Sequence, residues 1–126
     1  MSATPFDDDT YISLGSFKRD GTRVDTPVWA APLAGRLVVF TLRDSFKVKR
    51  IRRNPRVQIA ACSMFGAVSG PWRDGSCRLV DDPAHERSAY EALDAKYGWQ
   101  MRIGTLMRRL VGGLERRVIL EITLDA

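Results

Sequence analysis

Basic residues are concentrated in one short segment of this chain. Between Arg43 and Arg56 the sequence holds seven lysines and arginines and a single acid, Asp44. That segment carries a net charge of +6, and because the whole chain carries +5 at neutral pH, the rest of it carries −1. A protein that coats nucleic acid spreads its basic residues over a face or a stripe. A local anion site, such as a site for a phosphate group, explains the concentration seen here at least as well.

The basic segment predicts a short helix. Ser45 is a favoured N-cap residue and Asn54-Pro55 is a stop signal, which together place a helix over Phe46–Arg53. Val48 and Ile51 would face inward from it. The N-terminus of a helix offers free N–H groups and a partial positive charge, and both attract anions.

Two of the basic side chains share one face of that helix. Lys47 lies in the first turn and Arg50 follows three residues later, whereas Lys49 points elsewhere and could bind a second part of an extended anion. Thr41, at the end of the preceding strand, has a hydroxyl within reach. The residues alone leave two interpretations open. The segment is either a phosphate site or a solvated basic helix face, although a solvated face normally intersperses acids among its bases.

The stretch Thr26-Pro27-Val28-Trp29 falls inside a predicted strand. Proline cannot donate to a strand ladder, so it belongs at an edge, a bulge or a gap in a barrel wall. A gap leaves neighbouring backbone groups free to bind a flat ligand, and Trp29 would add a planar surface. On this feature alone, an ordinary edge strand with a core tryptophan is the simpler interpretation.

The cysteines and the single histidine predict neither a metal site nor nucleophilic catalysis. Cys62 and Cys77 lack CxxC spacing, and with His85 as the one histidine a structural zinc is not expected. If the turn between their strands is centred near Ser69 and Gly70, the two cysteines lie opposite one another as reduced core residues. His85 falls in the first turn of a predicted helix and is expected to be an exposed surface residue rather than a catalytic base.

Length and composition indicate one soluble globular domain. The chain has 126 residues, of which 44% are hydrophobic and 28% charged. No apolar run approaches the ~20 residues of a membrane span. Residues 1–9 carry an Asp triplet and no apolar stretch, so a signal peptide is not expected and the cytoplasm is the expected location.

Hydrophobic periodicity and turn signals predict six strands and three helices in the order β-β-β-α-β-β-α-α-β. The predicted strands span 10–17, 23–33, 37–42, 56–64, 72–80 and 116–124, and the predicted helices span 46–53, 82–97 and 100–110. Six mostly antiparallel strands in a chain of this size favour closure into a barrel, because closure removes exposed sheet edges. The absence of βαβ alternation and of a glycine fingerprint excludes a Rossmann dinucleotide fold.

Several motifs, taken in order, resemble those of a known family. They are Asp20-Gly21, Thr26-Pro27-Val28-Trp29, the strand 37–42, and Ser45-x-Lys47-x-Lys49-Arg50-Ile51-x-x-Asn54-Pro55-Arg56-Val57. This pattern is similar to the PPOX-class (pyridoxamine 5'-phosphate oxidase-like) split β-barrel proteins. Gly70-Pro71-Trp72 and Lys96-Tyr97-Gly98-Trp99-Gln100 are similar to the actinobacterial branch of that family, which uses the deazaflavin coenzyme F420. The resemblance covers nearly the whole chain.

The resemblance implies a fold, an assembly and a set of binding residues. The fold would be mainly β, a six-stranded antiparallel FMN-binding-type split barrel with small helices. The assembly would be a homodimer with two cofactor sites at its interface. The implied cofactor-binding residues are Pro27, Val28 and Trp29 along the ring system, Thr41, Ser45, Lys47, Lys49 and Arg50 at the phosphate, and Trp72 from the opposite subunit. No position matches a catalytic acid or base, so no catalytic residue is predicted.

The function implied by the resemblance is that of an F420-dependent oxidoreductase. It would transfer a hydride from the reduced coenzyme to an activated small molecule such as an enone, a quinone or a conjugated pigment, with the cofactor supplying the chemistry. Three alternatives stay open. They are an FMN-dependent oxidase or reductase on the same fold, a flavin- or pigment-binding protein without turnover, and a polyanion-binding module whose affinity would fall steeply with salt. Neither nucleic acid nor a membrane is the expected partner.

Overall fold

The structure is a computed structural model, and it describes residues 4–98 and 117–125. Within these residues, seven strands and two helices follow one another along the chain. They are β1 (Tyr11–Phe17), β2 (Arg23–Val28), β3 (Ala30–Leu33), β4 (Arg36–Leu42), α1 (Phe46–Arg53), β5 (Arg56–Cys62), β6 (Arg73–Val80), α2 (Pro83–Tyr97) and β7 (Arg117–Leu124). The helix predicted at 100–110 lies outside the described residues. Neither described helix is long and apolar enough to cross a bilayer.

The strands form one antiparallel sheet in the order β2-β1-β5-β6-β7-β4-β3. Its two edge strands, β2 and β3, are consecutive in the chain. β2 pairs with β1, where Val28 lies opposite Ile12, and β3 pairs with β4, where Ala30 lies opposite Val39. The chain therefore leaves one edge of the sheet at Trp29 and joins the other edge at the next residue.

The prediction of six strands in a closed barrel is wrong, because the chain crosses at Trp29 from the β2 edge of the sheet to the β3 edge. The segment 23–33 was expected to be one strand, but it is divided at Trp29 because its two halves pair with different neighbours. In the described part of the chain the sheet has seven strands and its two edges are not hydrogen-bonded to each other. The observed architecture is a mainly β, antiparallel sheet with two helices, consistent with a split barrel rather than a closed one.

Two apolar clusters lie on opposite faces of the sheet. The inner cluster includes Leu14, Leu37, Ile59, Leu120 and Ile122, all completely buried. Ile51 of α1 packs into this cluster, and Val48 is also buried, as the sequence predicts. The outer cluster lies under α2 and is built from Ala31, Val38, Val80, Ala89, Leu93, Tyr97 and Ile119. Burying each large aliphatic side chain stabilises the fold by roughly 1.5–3 kcal/mol.

The helix boundaries confirm the predicted signals. α1 begins after Ser45 and ends before Asn54. α2 begins after Asp82, whose carboxylate accepts a hydrogen bond from the Ala84 N–H at 3.3 Å, and has proline in its first turn. Gly98 ends it with a φ of 57°, a conformation that favours glycine.

The predicted pairing of the two cysteines is wrong. The chain turns at Gly66, whose φ is 87°, and not near Ser69 and Gly70. Cys62 consequently bridges to Val68 and pairs with Tyr11 of β1, whereas Cys77 pairs with Ile122 of β7. Both thiols are free, and burial raises the pKa of the Cys77 thiol to about 12.

His85 is half-buried rather than exposed. Its Nε2 lies 2.5 Å from Oε2 of Glu121, a buried carboxylate on the face of β7 that the first turns of α2 cover. Arg78 and Arg36 approach the other carboxylate oxygen at 3.0 and 3.5 Å. His85 was expected to be exposed because it lies at the start of α2. The sequence of α2 alone does not show that Glu121 on β7 lies beside it.

Candidate functional site

A pocket of about 380 Å³ lies beside the crossing from β2 to β3. That volume is within the range of roughly 300–1,000 Å³ found for small-molecule sites. The residues that line it are Tyr11, Thr26, Pro27, Val28, Trp29, Phe40, Thr41, Leu42, Lys47 and Arg117. Five of the predicted cofactor contacts, Pro27, Val28, Trp29, Thr41 and Lys47, are therefore brought together around one cavity.

The wall of the pocket on the β2–β3 side is aromatic. The Trp29 indole lies parallel to the Tyr97 ring, with a centroid distance of 4.4 Å and an interplanar angle of 7°. Tyr11 and Phe40 approach it edge-on at 6.4 and 6.2 Å. Trp29 thus combines the two roles considered from the sequence, because it packs among aromatic rings and also lines the pocket.

Lys47 brings a positive charge to the pocket from the first turn of α1. Its side chain is half-buried, and burial lowers the pKa of its ammonium, which the nearby Arg50 lowers further. No carboxylate of the described residues forms an ion pair with it. A half-buried ammonium in an aromatic pocket without an acidic partner is suited to an anionic ligand.

Arg117 is a second cation in the lining, and sequence reasoning missed it. It is the first residue of β7, where it pairs with Leu42, and it is only 5% exposed. Its guanidinium carbon lies 4.3 Å from the centroid of the Phe40 ring and 5.9 Å from that of Tyr90. No local motif marks this position, and only the register of β7 with β4 would have indicated it.

Among the described residues that line this pocket there is no acid, so Lys47 meets no carboxylate there. The polar side-chain oxygens of the described lining belong to Tyr11, Thr26 and Thr41. This arrangement can bind a flat aromatic group that carries negative charge. The described lining residues include no carboxyl or imidazole group for general acid–base catalysis.

Ser45 occupies the N-cap position of α1 without bonding to the helix through its side chain. Its Oγ atom is buried and has no hydrogen-bond partner among the described residues. A buried hydroxyl without a partner is unfavourable, but Ser45 is not among the residues that line the pocket.

Four of the predicted contacts, Ser45, Lys49, Arg50 and Trp72, are not among the residues that line the pocket. Lys49 is exposed, with its ammonium 5.3 Å from the centroid of the Phe46 ring. Arg50 Nε donates a hydrogen bond to Ser16 Oγ at 2.7 Å. Trp72 is half-buried, and the guanidinium of Arg23 lies 3.7 Å from its ring centroid.

No protein-family model matches the sequence, and no curated protein matches it. Solved structures do match the fold. The structure of the conserved hypothetical protein Rv2991 from Mycobacterium tuberculosis has a TM-score of 0.71 and 18% identity, and the match covers 95% of this chain and 76% of that one. A protein of Listeria innocua, provisionally described as a pyridoxamine 5'-phosphate oxidase, has a TM-score of 0.65 and 14% identity, with 93% and 85% covered. An F420 reductase has a TM-score of 0.61 and 17% identity, with 96% and 90% covered. Likeness at these identities establishes the fold.

Proposed function

We propose that this protein is an oxidoreductase that binds a flavin-type cofactor in the pocket beside Trp29, with coenzyme F420 as the preferred cofactor and FMN as the alternative. The observation that carries the proposal is the half-buried Lys47 ammonium, which faces an aromatic pocket without an acidic partner among the described residues. The fold's resemblance to an F420 reductase and to a protein described as a pyridoxamine-phosphate oxidase supports the same choice.

The residues present fit such a cofactor. The aromatic wall at Trp29 offers a flat surface for a ring system, and the Lys47 ammonium offers a contact for a phosphate. Ser45, which lies outside the lining, stays a predicted phosphate contact. Thr41, only 7% exposed, adds a hydroxyl to the lining. Charge-assisted hydrogen bonds of this kind contribute about 1.5–3 kcal/mol each.

The choice of F420 over FMN rests on cations outside the pocket. The deazaflavin coenzyme carries a longer acidic tail, and the sequence offers Arg52, Arg53 and Arg56 for it. Arg53 donates to the Phe17 carbonyl at 2.8 Å and Arg56 forms an ion pair with Asp125. Arg52, together with the exposed Lys49, therefore carries the argument for a tail contact.

When bound and reduced, the cofactor supplies the hydride, and the protein binds and orients it. Trp29 and Pro27 would hold the ring beside the β2–β3 crossing, and Lys47 and Arg117 would face negative charge on the ligand. The substrate is an activated small molecule such as an enone or quinone. The described lining residues include no carboxyl or imidazole group, and the proposed source of the accompanying proton is solvent or a residue not yet assigned.

The proposal includes a homodimer with two cofactor sites at its interface. Exposed apolar side chains in the loop after β5 support it, since Phe65 is 88% exposed and Met64 and Val68 are 55% and 45% exposed. Trp72 would complete the partner's site. Sedimentation analysis should show a dimer that Phe65→Ser weakens. A monomer at all concentrations would contradict this part of the proposal.

The experiment that tests the proposed pocket compares two lysine variants. Lys47→Ala should weaken FMN and F420 binding by about tenfold or more, because a tenfold loss corresponds to the ~1.4 kcal/mol that one charged contact contributes. Lys18→Ala, a matched change at an exposed lysine in the β1–β2 turn, should leave affinity unchanged. Equal affinities for the two folded variants would refute the phosphate role of Lys47.

A further inference from the structure

The last two residues of α2 bind the backbone at the sheet crossing. The Tyr97 hydroxyl accepts a hydrogen bond from the Ala30 N–H at 2.9 Å and lies 3.0 and 2.8 Å from the carbonyl oxygens of Ala30 and Thr10, to which it can donate. The Lys96 ammonium donates to the carbonyls of Ala30 and Asp9 at 2.6 and 2.7 Å. Both polar backbone groups of Ala30 are thus held by α2.

Ala30 is the residue at which this support is needed. The chain leaves its partner β1 after Val28 and begins pairing with β4 at Ala30, so the crossing interrupts the ladder. Buried backbone groups require partners, and Ala30 is completely buried. A side-chain hydroxyl and an ammonium from α2 take the place of a neighbouring strand.

Tyr97 also holds the residue before Ala30. Its ring covers the Trp29 indole in a parallel stack at 4.4 Å. One side chain therefore fixes both the backbone of the crossing and the tryptophan that lines the pocket. Tyr97 is itself only 6% exposed, and burial raises the pKa of its hydroxyl to about 12, so it stays protonated as a donor.

We propose that Tyr97, assisted by Lys96, is a positioning residue for the pocket: it sets the orientation of Trp29 and thereby the surface against which a ligand ring packs. The inference has two parts. The effect of Tyr97 on ligand affinity rests on the proposed function, whereas the effect of Tyr97 on the orientation of Trp29 does not. A binding surface has to be held within about 0.5 Å of its productive geometry by packing and hydrogen bonds, and Tyr97 supplies both.

The structural arm of the test measures Trp29 without any ligand. The chain has three tryptophans, so Trp72→Phe with Trp99→Phe leaves Trp29 as the single fluorophore. In that background, Tyr97→Leu should raise acrylamide quenching of Trp29 about twofold, because the stacked ring that shields one indole face is lost. Tyr97→Phe keeps the stack and should give a smaller rise together with faster depolarisation of the emission.

The ligand arm measures FMN and F420 affinity in the chain with all its tryptophans. Tyr97→Leu should weaken binding by about tenfold and Tyr97→Phe by a few-fold, since misplacing a binding surface by an ångström can cost up to 10²-fold. The control is Val80→Ala, which removes a buried side chain from the same outer cluster on β6, away from the crossing. It should lower stability and leave both Trp29 quenching and affinity unchanged.

The outcomes separate the two claims. If Tyr97→Leu and Val80→Ala give the same Trp29 quenching, Tyr97 is a core residue and the positioning role is wrong, whatever binds. If wild-type protein binds neither coenzyme but Tyr97→Leu still exposes Trp29, the proposed function fails and the positioning of Trp29 stands.

If Tyr97→Leu does not fold, Tyr97→Phe and Lys96→Met decide the question, because each removes hydrogen bonds at Ala30 and keeps the stacked ring. Unchanged quenching and depolarisation in both of these variants would overturn the inference.

Discussion

Arg50 Nε donates a hydrogen bond to Ser16 Oγ at 2.7 Å, which ties α1 to β1. Ser16 is completely buried, so this bond satisfies a polar atom inside the structure. Lys47 lies three residues earlier on the same helix and faces the pocket instead. The basic segment therefore divides into a part that holds the fold together and a part that can bind a ligand.

This division predicts different effects for two neighbouring cations. Arg50→Ala should lower the free energy of unfolding by about 1–3 kcal/mol, because the buried Ser16 hydroxyl loses its partner. Denaturant unfolding measures the change, with Arg52→Ala on the exposed side of α1 as the matched control. If Arg50→Ala is as stable as Arg52→Ala, the bond to Ser16 contributes nothing to the fold.

Lys47 and Arg117 should act on different parts of the ligand. Lys47→Ala should weaken FMN binding but not that of riboflavin, which lacks the phosphate. Arg117 lies over Phe40 in the aromatic wall, so Arg117→Gln should weaken both ligands, by roughly tenfold if it meets a charged or polar ring edge. Fluorescence titration gives all four affinities, and Arg73→Gln, at an exposed arginine outside the lining, serves as the control. Equal losses for FMN and riboflavin in Lys47→Ala would place Lys47 against the ring instead.

The Glu121 carboxylate makes the stability of the folded protein depend on pH in the acid range. Burial alone would raise the pKa of this carboxyl, but the hydrogen bonds from His85 and Arg78 outweigh burial, and the net pKa lies below its usual value. A carboxyl whose pKa is lower in the folded protein than in the unfolded chain stabilises the fold at any pH above the unfolded-chain value. That contribution is lost as the pH falls through the pKa of the folded protein. Stability should therefore decline on acidification below about pH 4.5, the ordinary value for glutamate.

Glu121→Gln tests that dependence directly. The variant should lose roughly 1–3 kcal/mol of stability at neutral pH, because the two arginines and His85 lose a charged acceptor but retain partial access to water. Its stability should also fall less between pH 6 and pH 3 than that of the wild type. Parallel pH profiles for the two proteins, from denaturant unfolding at each pH, would show that Glu121 is not the group responsible.

Gly15 makes room for the Arg23–Trp72 contact. A Cβ atom at Gly15 would lie 2.7 Å from Cδ of Arg23 and 2.9 Å from a carboxylate oxygen of Asp25, both too close. Gly15→Ala should therefore displace Arg23 from the Trp72 ring and destabilise the protein by about 1–3 kcal/mol. Trp72 emission, isolated by Trp29→Phe and Trp99→Phe, should change in position or quenching. An unchanged Trp72 spectrum with unchanged stability would show that Arg23 adjusts without leaving the ring.

Local sequence signals were sufficient for the helices and for half of the pocket. The start signals at Ser45 and Asp82 and the stops at Asn54 and Gly98 predicted the bounds of both described helices, because these signals depend on residues next to one another in the chain, although only Asp82 caps its helix through its side chain. The motif at Pro27–Trp29 and the lysine at 47 identified residues that the structure brings together.

The features that the sequence did not predict depend on partners distant in the chain. The segment 23–33 was predicted as one continuous strand, because its own residues do not show that its two halves pair with β1 and β4. Arg117 enters the pocket through its register with Leu42, and His85 is half-buried against an acid on β7. Cys62 and Cys77 were wrongly predicted to lie opposite one another because the turn between their strands was placed near Ser69 and Gly70, whereas the chain turns at Gly66.

The measurement that tests the central claim most directly is a fluorescence titration of purified protein with oxidised coenzyme F420, with FMN in parallel and with Lys47→Ala and Lys18→Ala beside the wild type. We expect saturable micromolar binding of F420, weaker binding of FMN, and a loss of affinity in Lys47→Ala alone. The reverse preference would make this an FMN-dependent protein. Binding of neither coenzyme by the folded wild type would contradict the account and leave the pocket to another anionic ligand.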